Sequence, residues 1–132
     1  MNGVPVTGVN ELVLEVQDVE RSVRFYTEVL GLPLVERWPA RNAAWILAGK
    51  RTRIGLWEPQ VGLAGGRGGV HVHYALHLPD EHYGGAVARL RRHGCDVQEE
   101  IFEETKSRAA YVTDPDDHVV ELWTWDVSGH LE

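Results

Sequence analysis

The chain has 132 residues, 43% of them hydrophobic and 25% charged, which fits one soluble globular domain over 1–132 and excludes a disordered chain. Its formal net charge is −7, so neither nucleic acid nor an anionic membrane, which both call for an excess of Lys and Arg, is an expected partner. No apolar run reaches the roughly 18 residues of a membrane span, the first ten residues lack the marks of a secretory signal, and the one cysteine, Cys95, cannot form an internal disulfide, so a cytoplasmic home is expected.

The chain opens its ordered part with Glu11-Leu-Val-Leu-Glu-Val-Gln-Asp18, an alternating run that predicts a half-buried strand. Asp18 is placed to cap a helix. Val19, Val23, Tyr26 and Leu30 then recur at helical spacing, and Gly31 stops the run. Three strand-like runs follow, at 34–38, 43–48 and 52–58. The stretch 62–69 holds five glycines; it lacks the Walker pattern and is read as a flexible connector over 59–70.

The same order then repeats. His73-Tyr-Ala-Leu-His-Leu-Pro-Asp80 alternates like the first strand, and Asp80 stands where Asp18 stood. Tyr83, Val87 and Leu90 give the second helix, weakened by Gly84 and Gly85 by about 1 kcal/mol each against Ala and stopped by Gly94. Strands are expected at 96–102, 109–113 and 118–125, the last two joined by a hairpin turn at Asp114-Pro-Asp-Asp117. The expected fold class is therefore α+β, with two βαβββ modules in tandem over 9–58 and 71–126.

Strand parity decides which side chains share a face. Leu12, Leu14 and Val16 face the first helix, and Glu11, Val13 and Glu15 face away from it. Val72, Tyr74, Leu76 and Leu78 face the second helix, and His71, His73, Ala75 and His77 face away. Glu121, Trp123 and Trp125 share a face of the last strand. Charged groups and tryptophans on one face suit a curved sheet that lines a cavity, because buried unpaired charge is costly. Glu11, His73 and Glu121 form a candidate nitrogen and oxygen site for Zn²⁺, Mn²⁺, Fe²⁺ or Ni²⁺. Read singly, each is an ordinary strand residue. Glu15 and His77 are acid/base candidates or a structural pair. Trp123, Trp125 and Trp57 are candidates for the pocket wall; Trp38 and Trp45 are read as core, interface or wall. Arg89, Arg91 and Arg92 are read as the wet face of the second helix, and Cys95 as structural.

The strings Val16-Gln-Asp18, Ser22-Val-Arg-Phe25-Tyr26, Leu30-Gly31 and Asp114-Pro-Asp-Asp-His-Val-Val-Glu121 resemble the vicinal oxygen chelate superfamily. That group contains glyoxalase I, bleomycin-binding resistance proteins, extradiol dioxygenases and fosfomycin-resistance thiol transferases. The resemblance implies a glyoxalase/bleomycin resistance/dioxygenase fold whose mixed sheets curl into a cleft or half-barrel. It implies metal ligands at Glu11, His73 and Glu121, and a homodimer. Two positions depart from the family pattern. The first ligand position is usually His and is Glu11 here. The closing strand of the first repeat carries Glu in glyoxalase I and Gly55 here; Glu58 lies three residues on and faces the other way.

Two function classes follow. One is a divalent-metal-dependent enzyme, such as a lyase, isomerase, thiol transferase or dioxygenase, acting on a small substrate with vicinal oxygens. The other is a metal-free protein that sequesters an aromatic or cationic compound between tryptophans, in the manner of bleomycin-resistance binders.

Overall fold

In a computed structural model describing residues 3–5, 7–59 and 72–126, the first alternating run forms β1 (Glu11–Glu15). It buries Leu14 and, just past its end, Val16, while Glu11 and Val13 are exposed. The Asp18 carboxylate accepts a hydrogen bond from the Arg21 N–H at 3.1 Å and so caps α1 (Val19–Arg24) as expected. The helix then widens into a π-helical turn over Phe25–Val29, closed by the Leu30 N–H on the Phe25 carbonyl. The Thr27 hydroxyl donates to the Val23 carbonyl at 2.7 Å, a back-bond that loosens regular winding at this point. Gly31, at φ 74°, ends the element.

The strands β2 (Leu34–Trp38), β3 (Ala43–Ala48) and β4 (Thr52–Trp57) complete the first sheet. Its order is β1-β4-β3-β2, with β1 and β4 parallel and the other pairs antiparallel. Val19, Val23 and Tyr26 of the helical segment are buried, as are Ile54, Leu56, Ala44 and Ile46 of the sheet. Those sheet residues share the parity of Leu14, so the core of this unit lies under the helix.

The second module repeats this plan. β5 (His73–His77), β6 (Gln98–Phe102), β7 (Ser107–Thr113) and β8 (Val119–Trp123) pair in the order β5-β8-β7-β6, again with the first and last strands parallel. α2 (Asp80–Arg92) packs Tyr83, Val87 and Leu90 into the core with Val112 and Val120. Asp80 does not cap this helix. Pro79, extended at φ −61° and ψ 147°, holds the cap position, and the Asp80 carboxylate instead accepts from Arg108 Nε at 2.8 Å. A proline with fixed φ starts the helix one residue earlier than the repeat suggested. Trp125 lies beyond the end of β8 rather than within it.

The chain divides into two compact units, Met1–Leu63 and Ala64–Glu132, one βαβββ module in each. The connector expected over 59–70 lies, from residue 60 onward, outside the described residues, as does His71. No helix among the described residues is long and apolar enough to cross a membrane.

Candidate functional site

The face of the first sheet turned away from its helix carries Glu11, Glu15, Arg53, Gly55, Trp57, Trp45 and Glu36. Register puts Glu11 beside Arg53, Val13 beside Gly55 and Glu15 beside Trp57. Glu11 Oε1 accepts from Arg53 Nε at 2.9 Å and from the Trp45 indole N–H at 3.0 Å. Arg53 reaches on to Glu36 at 2.7 Å, and Trp38 donates to the other oxygen of Glu36 at 2.7 Å. The Trp38 bond and then the Arg53 bond hold the Glu36 carboxyl below its usual range, and the two carboxylates raise Arg53 in turn. Arg53 also stacks over the Trp45 ring at 4.9 Å.

Three indoles fill the rest of this face. Trp38 and Trp45 have ring centroids 4.4 Å apart, and Trp45 and Trp57 lie 5.6 Å apart edge to face. They can approach because residue 55 is glycine. A Cβ there would meet Trp45 Nε1 and Trp57 Nε1 at 3.0 Å each. The Trp57 indole N–H is buried and has no hydrogen-bond partner among the described residues. Trp57, expected in the pocket wall, therefore belongs to an aromatic cluster of the first unit.

The corresponding face of the second sheet carries His73, His77, Glu121, Trp123 and Tyr111. Here Ala75 is in register with Glu121 and His77 with Trp123. His73 Nε2 and Glu121 Oε1 are 2.8 Å apart. Glu121 is 6% exposed. Tyr111, in register with Glu121 across β7 and β8, donates its hydroxyl to Glu100 at 3.1 Å. Burial, then the Glu121 charge, then the bond to Glu100 push the Tyr111 hydroxyl well above its ordinary range, so it stays a proton donor. Its ring meets the His73 ring edge-on at 5.9 Å. Trp123 stacks on Trp125 at 4.9 Å, touches Phe102 at 5.5 Å and donates its N–H to Ser107 at 3.1 Å.

Sequence parity brought out His73, Glu121 and Trp123 and missed Arg53, Glu36, Glu100 and Tyr111. The signal for Arg53 was there: Arg53, Gly55 and Trp57 alternate along β4 just as Glu11, Val13 and Glu15 do along β1. Glu15 and His77 take their places on the open faces of separate units. Cys95 is half-buried, and burial pushes its thiol up, away from reactivity.

The two faces differ as places for a divalent ion. His73 Nε2 and Glu121 Oε1 lie at hydrogen-bonding distance, 2.8 Å, closer than the roughly 3.4 Å between tetrahedral ligands with bonds of about 2.1 Å. The second face thus brings together one imidazole and one carboxylate, two of the donor types that a divalent ion takes. On the first face Glu11 already carries a guanidinium, and indoles occupy the space where a ligand at position 55 would extend. Within either unit, no three His, Cys, Asp or Glu side chains among the described residues converge as a ligand set.

Residues 8–122 match the family model of the Glyoxalase/Bleomycin resistance protein/Dioxygenase superfamily. The chain is 29% identical over 124 residues to the glutathione transferase FosA of Serratia marcescens, covering 92% of this chain and 84% of that one. It is 31% identical over 118 residues to the catechol-2,3-dioxygenase of Bacillus subtilis (strain 168), covering 83% of this chain but only 39% of that one. The fold matches the fosfomycin resistance protein FosX of Listeria monocytogenes, solved as a point mutant with Mn(II) and 1S,2S-dihydroxypropylphosphonic acid. That match has a TM-score of 0.74 at 17% identity and covers 96% of this chain and 97% of that one.

Proposed function

The chain belongs to the Glyoxalase/Bleomycin resistance protein/Dioxygenase superfamily, and from that membership we propose that it is a divalent-metal-dependent enzyme acting on a small substrate with vicinal oxygens. The observation that carries this reading is the His73–Glu121 pair: a carboxylate 6% exposed, with an imidazole nitrogen 2.8 Å away, on the open face of the second sheet. The manganese in a FosX of the same fold supports it, as does the likeness to a glutathione transferase and a dioxygenase. Bound there, the ion would supply positive charge to polarise a substrate oxygen.

The chain's own residues would do the rest. His73 and Glu121 hold the ion. The Tyr111 hydroxyl, kept protonated, orients a substrate oxygen by donating to it in place of Glu100. His77, exposed on the same face, takes or gives a proton; Glu15 is the acid/base candidate of the first unit. Trp123, Trp125 and Phe102 hold the apolar part of the substrate and keep water from it. Glu11, the third ligand that the family resemblance implies, is bonded within the first unit to Arg53 and Trp45. The active form is a homodimer, as the resemblance implies; a monomer in light scattering at micromolar concentration would overturn that part.

The test is ion content. Protein loaded with Mn²⁺ or Zn²⁺ and dialysed should retain about one ion per chain by elemental analysis. His73→Ala and Glu121→Gln should each lower affinity by at least about 100-fold, since each removes a ligand and not merely a second-layer contact. If parent and variants are equally empty, the metal reading fails. A second reading then takes its place, and it has its own observation: Trp123 stacks on Trp125 and meets Phe102, two residues along their strands from Glu121 and Glu100, a setting for an aromatic cation. In that case a quaternary ammonium dye should quench tryptophan fluorescence saturably without any ion.

A further inference from the structure

On the other side of the second sheet, α2 and the strands β6 and β7 border a cavity of about 620 Å³. Arg91 and Arg92 enter it from the helix, Arg108 from β7 and Glu99 from β6, over a floor that includes Tyr83 and Val87. Three guanidiniums thus meet two carboxylates, Glu99 in the wall and Asp80 beside Arg108, in a chain whose net charge is −7. The positive end-turn residues of α2 are explained in part by the helix dipole, which favours cations at a C-terminus. That account does not reach Arg108, which comes from a strand and is turned to the same cavity.

The arginines are held in place rather than free. Arg108 lies over the Tyr83 ring at 4.3 Å and is tied by Nε to Asp80 at 2.8 Å. Arg91 is tied by one amino group to Glu99 at 3.0 Å. Arg92 has no ion pair among the described residues. Each of the tied guanidiniums keeps N–H groups beyond its pair. The floor is apolar where it matters. The Tyr83 hydroxyl is already used, donating to Glu99 at 2.8 Å and to the Ala109 carbonyl at 3.1 Å, and burial, then the bond to Glu99, push it up to about 12. The ring is 2% exposed and lies under Arg108, so what meets a ligand is the exposed Gly84 and Ala88 and the arginine stems. Gly84 widens the helix side, since a Cβ there would meet nothing within 4 Å.

We propose that this cavity binds a small organic anion, a carboxylate or phosphate on an aromatic or branched apolar body. The anionic group docks on Arg92 with Arg91 and Arg108 beside it, because planar guanidiniums match such groups with paired hydrogen bonds. The body lies along Gly84, Ala88 and the arginine stems. The site is an open groove, so it holds one side of a ligand and leaves the other in water. Arg91 and Arg108 are about half exposed, so binding is modest and weakens with salt. The site is separate from the face that carries His73 and Glu121 and does not depend on an ion there.

Amide NMR titration of the ¹⁵N-labelled full chain tests this, with naphthoate as the anion and naphthylmethanol as its neutral analogue. Naphthoate should shift amides over 84–92 and 99–108 saturably and bind at least about 10-fold more tightly than the alcohol. Arg92→Gln, at an exposed position, should weaken it by about threefold, the size of a surface charge contact. Ala88→Glu, which sets a carboxylate at the cavity wall, should abolish it. Unchanged melting temperatures in both variants would exclude a folding defect. Equal binding of acid and alcohol, shifts confined to His73, Tyr111 and Trp123, or unaltered binding by both variants would each overturn the proposal.

Discussion

The two sheets have the same strand order and the same parallel pairing of first and last strands, yet their open faces carry opposite chemistry. On the first, Glu11 and Glu36 share Arg53, two indole N–H groups complete the carboxylates' bonding, and tryptophan rings close over Gly55. On the second, the carboxylate of Glu121 faces an imidazole and a phenol, with no arginine among the described residues bonded to it. A duplicated βαβββ plan thus fixes where side chains point and leaves open what they do. One copy carries an arginine-bridged, aromatic platform; the other sets a buried carboxylate beside an imidazole.

The largest way to break that contrast is to give the first sheet the residue that the second has. Glu121 closes the second module where Gly55 closes the first, so Gly55→Glu makes the two alike. Its Cβ would strike Trp45 and Trp57 at 3.0 Å, and its carboxylate would sit among indole rings. A loss of about 2–4 kcal/mol in urea unfolding is expected, from overpacking and unpaired burial together. Gly55→Ala should give the overpacking part alone, about 1–3 kcal/mol. Full stability of both variants would mean that the three-indole cluster does not hold this face.

A second contrast lies in the hairpins that lead into the closing strands. In the second unit His118 Nδ1 and Asp114 Oδ2 are 2.7 Å apart, and both residues are buried. Burial alone would lower the His118 pKa, but the bond to Asp114 and the charges of Asp114, Asp116 and Asp117 outweigh it and leave a net rise. A raised folded value means that the protonated pair stabilises fully below the unfolded value of about 6.5 and loses that contribution as pH climbs through the folded value. The parent should therefore lose about 1–2 kcal/mol between mildly acidic and mildly alkaline pH, the size of a charge-assisted hydrogen bond. His118→Gln should show a flatter profile in thermal melts over that window. Equal slopes for both proteins would show that His118 is not the titrating group.

The smallest effect concerns the turn residues themselves. The first hairpin turns at Gly49, φ 80°, and the second at Asp117, φ 65°. A left-handed conformation is unstrained for glycine and mildly strained for Asp. Asp117→Gly should stabilise by about 0.5–1 kcal/mol, less the loss of the Asp117 charge near His118. A destabilised variant would show that the charge outweighs the strain.

Much of the fold was legible because the opening strands β1 and β5 turn their even-numbered residues to a helix and set a charged or histidine residue at each end of the other face. That gives the repeated pattern of 11–15 and 73–77, and such a pattern survives in a bare sequence. The π-turn at Phe25–Val29 was not legible, since its cause is a side-chain to backbone bond from Thr27 that leaves the apolar spacing unchanged. Nor was the switch from Asp80 to Pro79 at the second cap: both residues can begin a helix, and the draw of Arg108 on Asp80 comes from a strand far along the chain. At the site, parity placed His73 and Glu121 on one face, which the structure brings to within 2.8 Å. It left Glu11 without Arg53, because charged neighbours across a parallel pair are read from register, and register depends on tertiary structure.

The tryptophans are distributed so that each half of the molecule reports on itself. Trp38 and Trp45 stack at 4.4 Å in the first unit, and Trp123 and Trp125 at 4.9 Å in the second. Indoles this close couple their electronic transitions, so each pair should give its own near-ultraviolet circular dichroism couplet. Its amplitude would vanish when that sheet opens. Trp125→Phe would silence the second couplet, and Trp38→Phe would reduce the first to the Trp45–Trp57 pair, 5.6 Å apart. Optical melting of the two single variants would then tell, without labels, whether the halves of the duplication come apart together or one before the other.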